Sequence, residues 1–514
     1  MAYKVRISAD RSPLEKLPGQ WIRSFAHAPG INLAALALLL LLIPATIFLP
    51  KLYLAAAIGV LVVSLGAMYL IATTIHARVN GALLTWLLVS PLAYYCFSIP
   101  AEKPIFTFDR FVILMLSGAV MFIPPAEATP LPHAIKRAGV VWLVFLAFAF
   151  SSLIAVWSDL GLAGTRLITE AFIFPCLIAL FVIRVFPAGR YIRLMHTLVG
   201  IMAIYCALIG LVEVLTNRDL LPIPGATFYG VDQTGALPRV NGPFDANYCL
   251  ALIGAITLFL LLFLRPLMDG PVSRGRRWFH WVSITAAITM ALLPQFRTLW
   301  IALTLVLLLE LYHNRRISAR VAVVAIVVLV AFAIFSLPAL APAFFQNRIA
   351  DPSNFYARIA QQQQTWQLFK EHPFNGVGFA NFMQAVQGVS ITSFHDVDAV
   401  NTAHNSLGSI LAETGLAGAM PFVVANILWF LAFYRLREQG TPIAALAYRC
   451  FLYVFICYWM MGLTLTSAYE RDLNLWYMFA CALMYKCSMI EQFHRRAATP
   501  RPAFIGDHYT VHAS

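Results

Sequence analysis

Residues 246–265 read ANYCLALIGAITLFLLLFLR, a run with no charge before Arg265 and no alternation of polar with apolar positions. A helix crossing roughly 30 Å of hydrocarbon needs about 20 residues of this kind, whereas the strands of a membrane barrel show a period of two. The chain therefore reads as helical and membrane-embedded at this point. The same texture recurs in both directions. Toward the N-terminus, apolar runs lie near residues 31–49, 52–74, 82–99, 108–124, 139–157, 167–185 and 193–216; toward the C-terminus, near 279–294, 298–312, 320–337, 416–436, 443–464 and 472–489. Composition agrees: 61% of the 514 residues are hydrophobic, 11% are charged and the mean hydropathy is +0.77, far from the values of soluble domains. The expected fold is an all-α integral membrane protein with about 12–14 transmembrane helices.

Basic residues set the orientation, because they collect in cytoplasmic loops. With the N-terminus inside, 24 of the 36 Lys and Arg fall in cytoplasmic segments, 11 fall outside, and Arg449 lies within a span. The formal charge of +13 is thus spread over turns facing an anionic leaflet, and no basic domain collects it for a nucleic acid. Residues 1–30 carry charges throughout and read as a cytoplasmic tail rather than a signal peptide. Residues 31–337 hold eleven spans with an outer loop at 217–245, and residues 338–415 form a large, partly helical outer segment. Residues 416–489 hold the last three spans, and 490–514 form a second cytoplasmic tail. All eight cysteines lie in or at the ends of spans with no C-x-x-C pair, and read as small apolar fillers.

The outer segments carry whatever chemistry there is. Asp351-Pro352 opens a helical stretch in which Phe355, Ile359, Trp366 and Phe369 form an apolar stripe, expected to lie against the membrane domain, with Gln361 to Gln364 as a solvated face. Gly376-Val377-Gly378 follows no strand and opens no βαβ unit, so it reads as a turn and not as part of a dinucleotide fingerprint. Ionisable side chains near the outer ends of spans are functional candidates, because charge at membrane depth is costly. Glu170, Glu213, Arg239, Asp245, Arg297, His404 and Glu413 meet that description, with structural pairing to an arginine the equal alternative for the three glutamates. Arg297 closes a three-residue turn, Gln295-Phe296-Arg297, pinned between two spans. Turn geometry asks for no guanidinium there, and the planar fork suits phosphate oxygens. Only His372, His395 and His404 lie outside. A histidine beside such arginines fits glycosyl transfer from a diphosphate-linked donor, which needs a base for the acceptor proton and cations for the departing diphosphate.

Three ordered features resemble the O-antigen ligase and polysaccharide polymerase family: Arg239-Val240-Asn241-Gly242-Pro243-Phe244-Asp245-Ala246-Asn247 entering a span; Arg358 through Trp366 to Pro373-Phe374-Asn375-Gly376-Val377-Gly378-Phe379; and His404-Asn405 with Glu413-Thr414-Gly415. The similarity covers about residues 160–485. It implies an inverting, metal-independent and cofactor-free transferase of the bacterial inner membrane, with both termini cytoplasmic and the active site periplasmic. The donor would be a glycan on undecaprenyl diphosphate, the acceptor lipid A core or a growing polysaccharide, and membrane lipids would surround it. By the resemblance His404 activates the acceptor, Arg297, Arg239 and Arg358 hold the diphosphate, and Asn405 and Glu413 bind substrate. The chain departs from the family in having Phe296 where a serine is usual, extra apolar material before residue 139, and no sizeable soluble domain after the last span. The extra spans favour a polymerase slightly over a ligase, and the first two read as an accessory pair. Two other readings compete. His395-Asp396-Val397-Asp398 offers metal ligands to a metal-dependent transferase, and a multi-span carrier of a small anion or glycan would show internal repeats, of which none is visible.

Overall fold

The computed structural model describes residues 75–96, 98–99, 106–122, 133–154, 156–223, 228, 230, 238–268, 273–314, 353–387, 404–438 and 440–498. The runs expected at 31–49, 52–74 and 320–337 lie outside these residues, as does the His395-Asp396-Val397-Asp398 cluster.

Within them the chain is a bundle of α-helices, as its unbroken apolar runs require. In chain order the main helices are α1 (Ile75–Val89), α2 (Phe108–Phe122), α3 (His133–Ile154), α4 (Trp157–Ile168), α5 (Phe174–Arg184), α6 (Ala188–Thr216), α7 (Asn247–Leu267), α8 (Arg274–Leu292), α9 (Arg297–Asn314), α10 (Ser353–Glu371), α11 (Phe382–Val386), α12 (Ser406–Arg437), α13 (Pro442–Gly462) and α14 (Arg471–Ala498). Apart from these, Ser98–Ile99 and Phe106–Thr107 pair as a two-residue antiparallel ribbon. Seven stretches among the described residues are long and apolar enough to cross a bilayer: Val79–Cys96, His133–Ile154, Ala163–Arg184, Ala188–Thr216, Asn247–Leu267, Ser406–Arg437 and Pro442–Gly462. The chain is an all-α integral membrane protein.

The helix read first, α7, is central. Its most apolar window is 83% buried, against 22% for that of α3 at the edge, which matches a sequence apolar on all sides. Around α7 pack α6, α8, α13 and α14. Six of the eight cysteines are buried and none is bridged, consistent with a filling role. The last helix runs on past residue 489 to Ala498, so the stretch expected to be a tail begins as helix. Glu491 there is buried and accepts a hydrogen bond from the Ile443 amide at 3.2 Å, which ties the extension to the start of α13.

The outer segment is fastened to this bundle by a broken helix. In α12, Gly415 has φ 60° and ψ −164°, so Ser406–Thr414 and the span that follows are separate helical pieces. The turn Pro373–Gly378 docks into the break: the Val377 and Gly378 amides donate to the carbonyls of Ala412 and Glu413 at 2.9 and 3.0 Å. The Leu416 and Ala417 amides donate back to Pro373 and Phe374 at 2.8 and 3.1 Å. Backbone groups freed by the break are thereby satisfied by protein, the condition for a broken helix in apolar surroundings. Only glycine fits at two places. Gly376 and Gly415 have φ of 68° and 60°, and a Cβ on either would stand 2.3 or 2.2 Å from the backbone of the facing strand of chain. This explains why the two sequence motifs Pro-Phe-Asn-Gly-Val-Gly and Glu-Thr-Gly occur together. Aromatic packing completes the joint. Phe379 from the turn stacks edge-on to Phe172 with ring centres 5.9 Å apart, and Phe145 and Phe422 extend the cluster from α3 and α12.

Two expectations for α10 are corrected. Of the four glutamines, Gln361 and Gln364 are buried and only Gln362 and Gln363 face out, while Trp366, from the supposed buried stripe, is 55% exposed. The buried side of α10 is Ala360, Gln361, Gln364, Thr365 and Leu368. The reason lies in its neighbour: α10 packs on the first turns of α12, where Thr365 meets Gly408, and that close approach favours short and polar side chains over aromatic ones.

Candidate active site

The site forms at the end of the bundle where α9 and α12 begin. Gln295 turns the chain in the left-handed region (φ 59°), and α9 starts at Arg297. The next residue, Thr298, places its hydroxyl 3.0 Å from that of Thr464 in the loop between α13 and α14. Arg358 of α10 donates from Nη1 to the Thr464 carbonyl, so one loop residue meets both arginine-bearing helices. On the other side of the turn, the Gln295 amide reaches the Pro238 carbonyl at 3.5 Å, which brings the Arg239 loop alongside. That loop is held from within the bundle. The buried Glu213 carboxylate accepts from the Gly242 amide at 2.8 Å, a structural role for one of the glutamates singled out above.

His404 sits at the mouth of α12 with φ 43°, a strained backbone for a residue with a Cβ and a feature that collects at functional sites. Asn405 follows as the N-cap. Its side-chain oxygen accepts from the Leu407 and Gly408 amides at 3.0 and 3.1 Å, and its amide reaches Gln362 at 3.4 Å. Ser406 then clamps the helix to the α13–α14 loop, donating to the Leu465 carbonyl and accepting from the Ala468 amide, each at 3.0 Å.

The electrostatics are those of gathered positive charge. Burial lowers the proton affinity of Arg358, and Arg297 lowers it further. Burial likewise lowers the His404 pKa, with the Arg358 charge adding to the effect. Both effects favour the neutral imidazole over the imidazolium. Arg297, Arg358 and His404 form one group, with Arg239 approaching across Gln295. Glu413 lies deeper. It is buried, with its carboxylate receiving the Tyr469 hydroxyl at 2.8 Å and the Phe382 amide at 3.4 Å, while its carbonyl receives the Ser152 hydroxyl at 2.9 Å. Its contacts join α3, α11 and the α13–α14 loop, so it braces the broken helix beneath the site.

Residues 282–423 match the family model described as O-antigen ligase. The O-antigen ligase match runs from α8 through the break in α12 and contains Arg297, Arg358, His404, Asn405 and Glu413, while Arg239 lies outside it, ahead of α7. It supports the resemblance read from the motifs, and with it a glycan ligase or polymerase role. No curated protein matches the chain.

Reading the sequence missed the α13–α14 loop, which supplies Thr464, Leu465, Ser467, Tyr469 and Glu470. Glu470 is half-buried and receives the Tyr248 hydroxyl; desolvation first, and then the neighbouring Asp245, push its pKa up. Tyr248 in turn packs edge-on against Phe296, 6.1 Å between ring centres, next to Arg297. The one signal available was the run Ser467-Ala468-Tyr469-Glu470-Arg471-Asp472, three charges at the mouth of a span. Among the described residues no group of His, Cys, Asp and Glu has the geometry to hold a metal ion.

Proposed function

We propose that the protein transfers a glycan from an undecaprenyl diphosphate carrier to an acceptor hydroxyl on the periplasmic face of the bacterial inner membrane, with inversion and without a metal ion. His404 takes the proton as the acceptor oxygen bonds to the anomeric carbon. The bond from that carbon to the diphosphate oxygen breaks, and the lipid diphosphate leaves with the electron pair. Attack opposite the leaving group inverts the centre. Arg297 and Arg358, with Arg239 at the rim, hold the diphosphate as its charge grows, the point at which preorganised cations act most strongly. Asn405 fixes the helix that carries His404 and offers its amide to the sugar, while Glu413 positions the broken helix. The observation that carries this reading is the placement of a half-buried histidine beside Arg358, itself in the field of Arg297, inside a stretch that matches the O-antigen ligase model. Polymerisation of an exported polysaccharide is the favoured form, with transfer to lipid A core as its sibling.

The test is purified protein in detergent with a lipid diphosphate-linked oligosaccharide and EDTA. His404→Ala should slow release of the lipid diphosphate by about 10²- to 10⁴-fold, the range for a lost general base. A longer lipid-linked chain would identify a polymerase, and glycan moved to lipid A core a ligase. Dependence on added divalent metal would overturn the metal-free mechanism. Absence of release from any donor, together with solute flux that survives His404→Ala, would move the protein to the carriers.

A further inference from the structure

Helix α8 has a second, quite different end. Arg297 lies just beyond its C-terminus, whereas Arg274 and Arg277 stand in its first turn, about 30 Å away at 1.5 Å per residue. That is roughly the thickness of the hydrocarbon core, and α8 packs along α6 and α7, both long and apolar enough to cross it, so the two groups of arginines stand about one bilayer core apart. Between α6 and α8, from Arg274 to Thr289, runs a groove of about 540 Å³, within the range of small-molecule sites. Leu208 and Leu211 line it from α6; Arg274, Arg277, Trp278 and Trp281 line it from α8. The polarity is graded. Both arginines are exposed at one end, Trp278 and Trp281 are 69% and 62% exposed next to them, and the remainder is apolar apart from Thr285 and Thr289. Even Thr289, deep in the groove, spends its hydroxyl on its own helix, donating to the Thr285 carbonyl at 2.9 Å.

We propose that this groove holds an anionic glycerophospholipid of the leaflet opposite the arginine–histidine site, its phosphate on Arg274 and Arg277 and an acyl chain along Leu208 and Leu211. Charge complementarity chooses the occupant. No carboxylate among the described residues forms an ion pair with either arginine, and guanidinium forks match phosphate oxygens. Tryptophans beside the arginines mark headgroup depth, and a basic pocket between transmembrane helices is the form such lipid sites take. The lipid would wedge α6 against α8, the two helices whose far ends carry the Glu213-held loop and the Arg297 turn.

The experiment uses the delipidated full chain and native mass spectrometry with phosphatidylglycerol or phosphatidylcholine of matched acyl chains. Phosphatidylglycerol should bind wild type, and Arg274→Gln with Arg277→Gln should weaken it by about 25-fold, a factor of about five for each charge. Phosphatidylcholine should bind both proteins alike and weakly. Equal phosphatidylglycerol binding by wild type and the double variant would overturn the assignment. A second measurement replaces Leu211 with benzoylphenylalanine and irradiates cells. An adduct of phospholipid mass supports the proposal, and a cross-link to another part of the chain or to a second copy refutes it.

Discussion

Two clusters of charge share one end of the bundle and are built on opposite rules. In the first, signs alternate. Arg110 meets Glu170 at 2.6 Å, Arg166 meets the same oxygen at 2.8 Å, and Arg471 reaches Asp109 at 3.2 Å and Asp472 at 2.7 Å. In the second, like charges gather: beyond the effect of burial, Arg297 lowers the hold of Arg358 on its proton, and Arg358 lowers that of His404. Matched charges bind α2, the turn before α5 and α14 to each other; gathered cations leave a field for an incoming anion. The loop between α13 and α14 belongs to both. Thr464 and Leu465 hold Arg358 and the start of α12, and Arg471, at the loop's end, is locked into the matched cluster. The comparison teaches that the salt-bridged network fixes the loop on which the arginine–histidine group hangs.

The sharpest way to break the contrast is at Arg297. If its role is a planar fork on diphosphate oxygens, Arg297→Lys keeps the charge and loses the fork, and turnover should fall by about 10²- to 10³-fold, the usual loss for one transition-state donor. Melting should be unchanged, because Arg297 is exposed. Wild-type turnover in the lysine variant would reduce the cluster to a general positive potential.

The matched cluster should respond the other way. Glu170→Gln removes the carboxylate shared by Arg110 and Arg166 and leaves Arg110, whose side chain is 6% exposed, without that anion. Breaking a buried pair from one side costs about 3–5 kcal/mol. Thermal unfolding in detergent should show a large loss, with turnover per folded molecule much less affected. Loss of activity at unchanged stability would place Glu170 in the chemistry and dissolve the distinction between the clusters.

How much of this was legible depended on whether the signal was local. Arg297 stood out because a guanidinium in a three-residue turn has no turn-forming purpose, and His404 because so few histidines fall in the segments expected outside. The membrane fold was readable because a 20-residue apolar run has one physical solution in a bilayer. Period alone misled at α10: it tells which residues share a face, and only the neighbour decides which face is covered, so Gln361 and Gln364 went in and Trp366 stayed out. The Asp109–Arg471 contact joins positions hundreds of residues apart and has no local trace. Asn405 was noticed for its place beside His404, but its capping geometry needed the backbone to be seen.

The smallest effect is also the most diagnostic of the gathered cluster, and it lies in pH. As the base, His404 must be neutral to work, and burial first and Arg358 second lower its pKa from the ordinary value of about 6.5. The acid limb of kcat/KM, which reports the free enzyme, should therefore fall below pH 6.5 in wild type. Arg358→Gln removes the second cause and leaves the first. Its plateau should drop through weaker hold on the diphosphate, and, normalised to that plateau, its acid limb should move up toward 6.5 without reaching it. The sign is fixed because a lost neighbouring cation can only make protonation easier. An unmoved limb would mean that Arg358 and His404 do not sense each other in the working enzyme. A limb that moved down would mean that a carboxylate, freed by the loss of Arg358, controls the rate in its place.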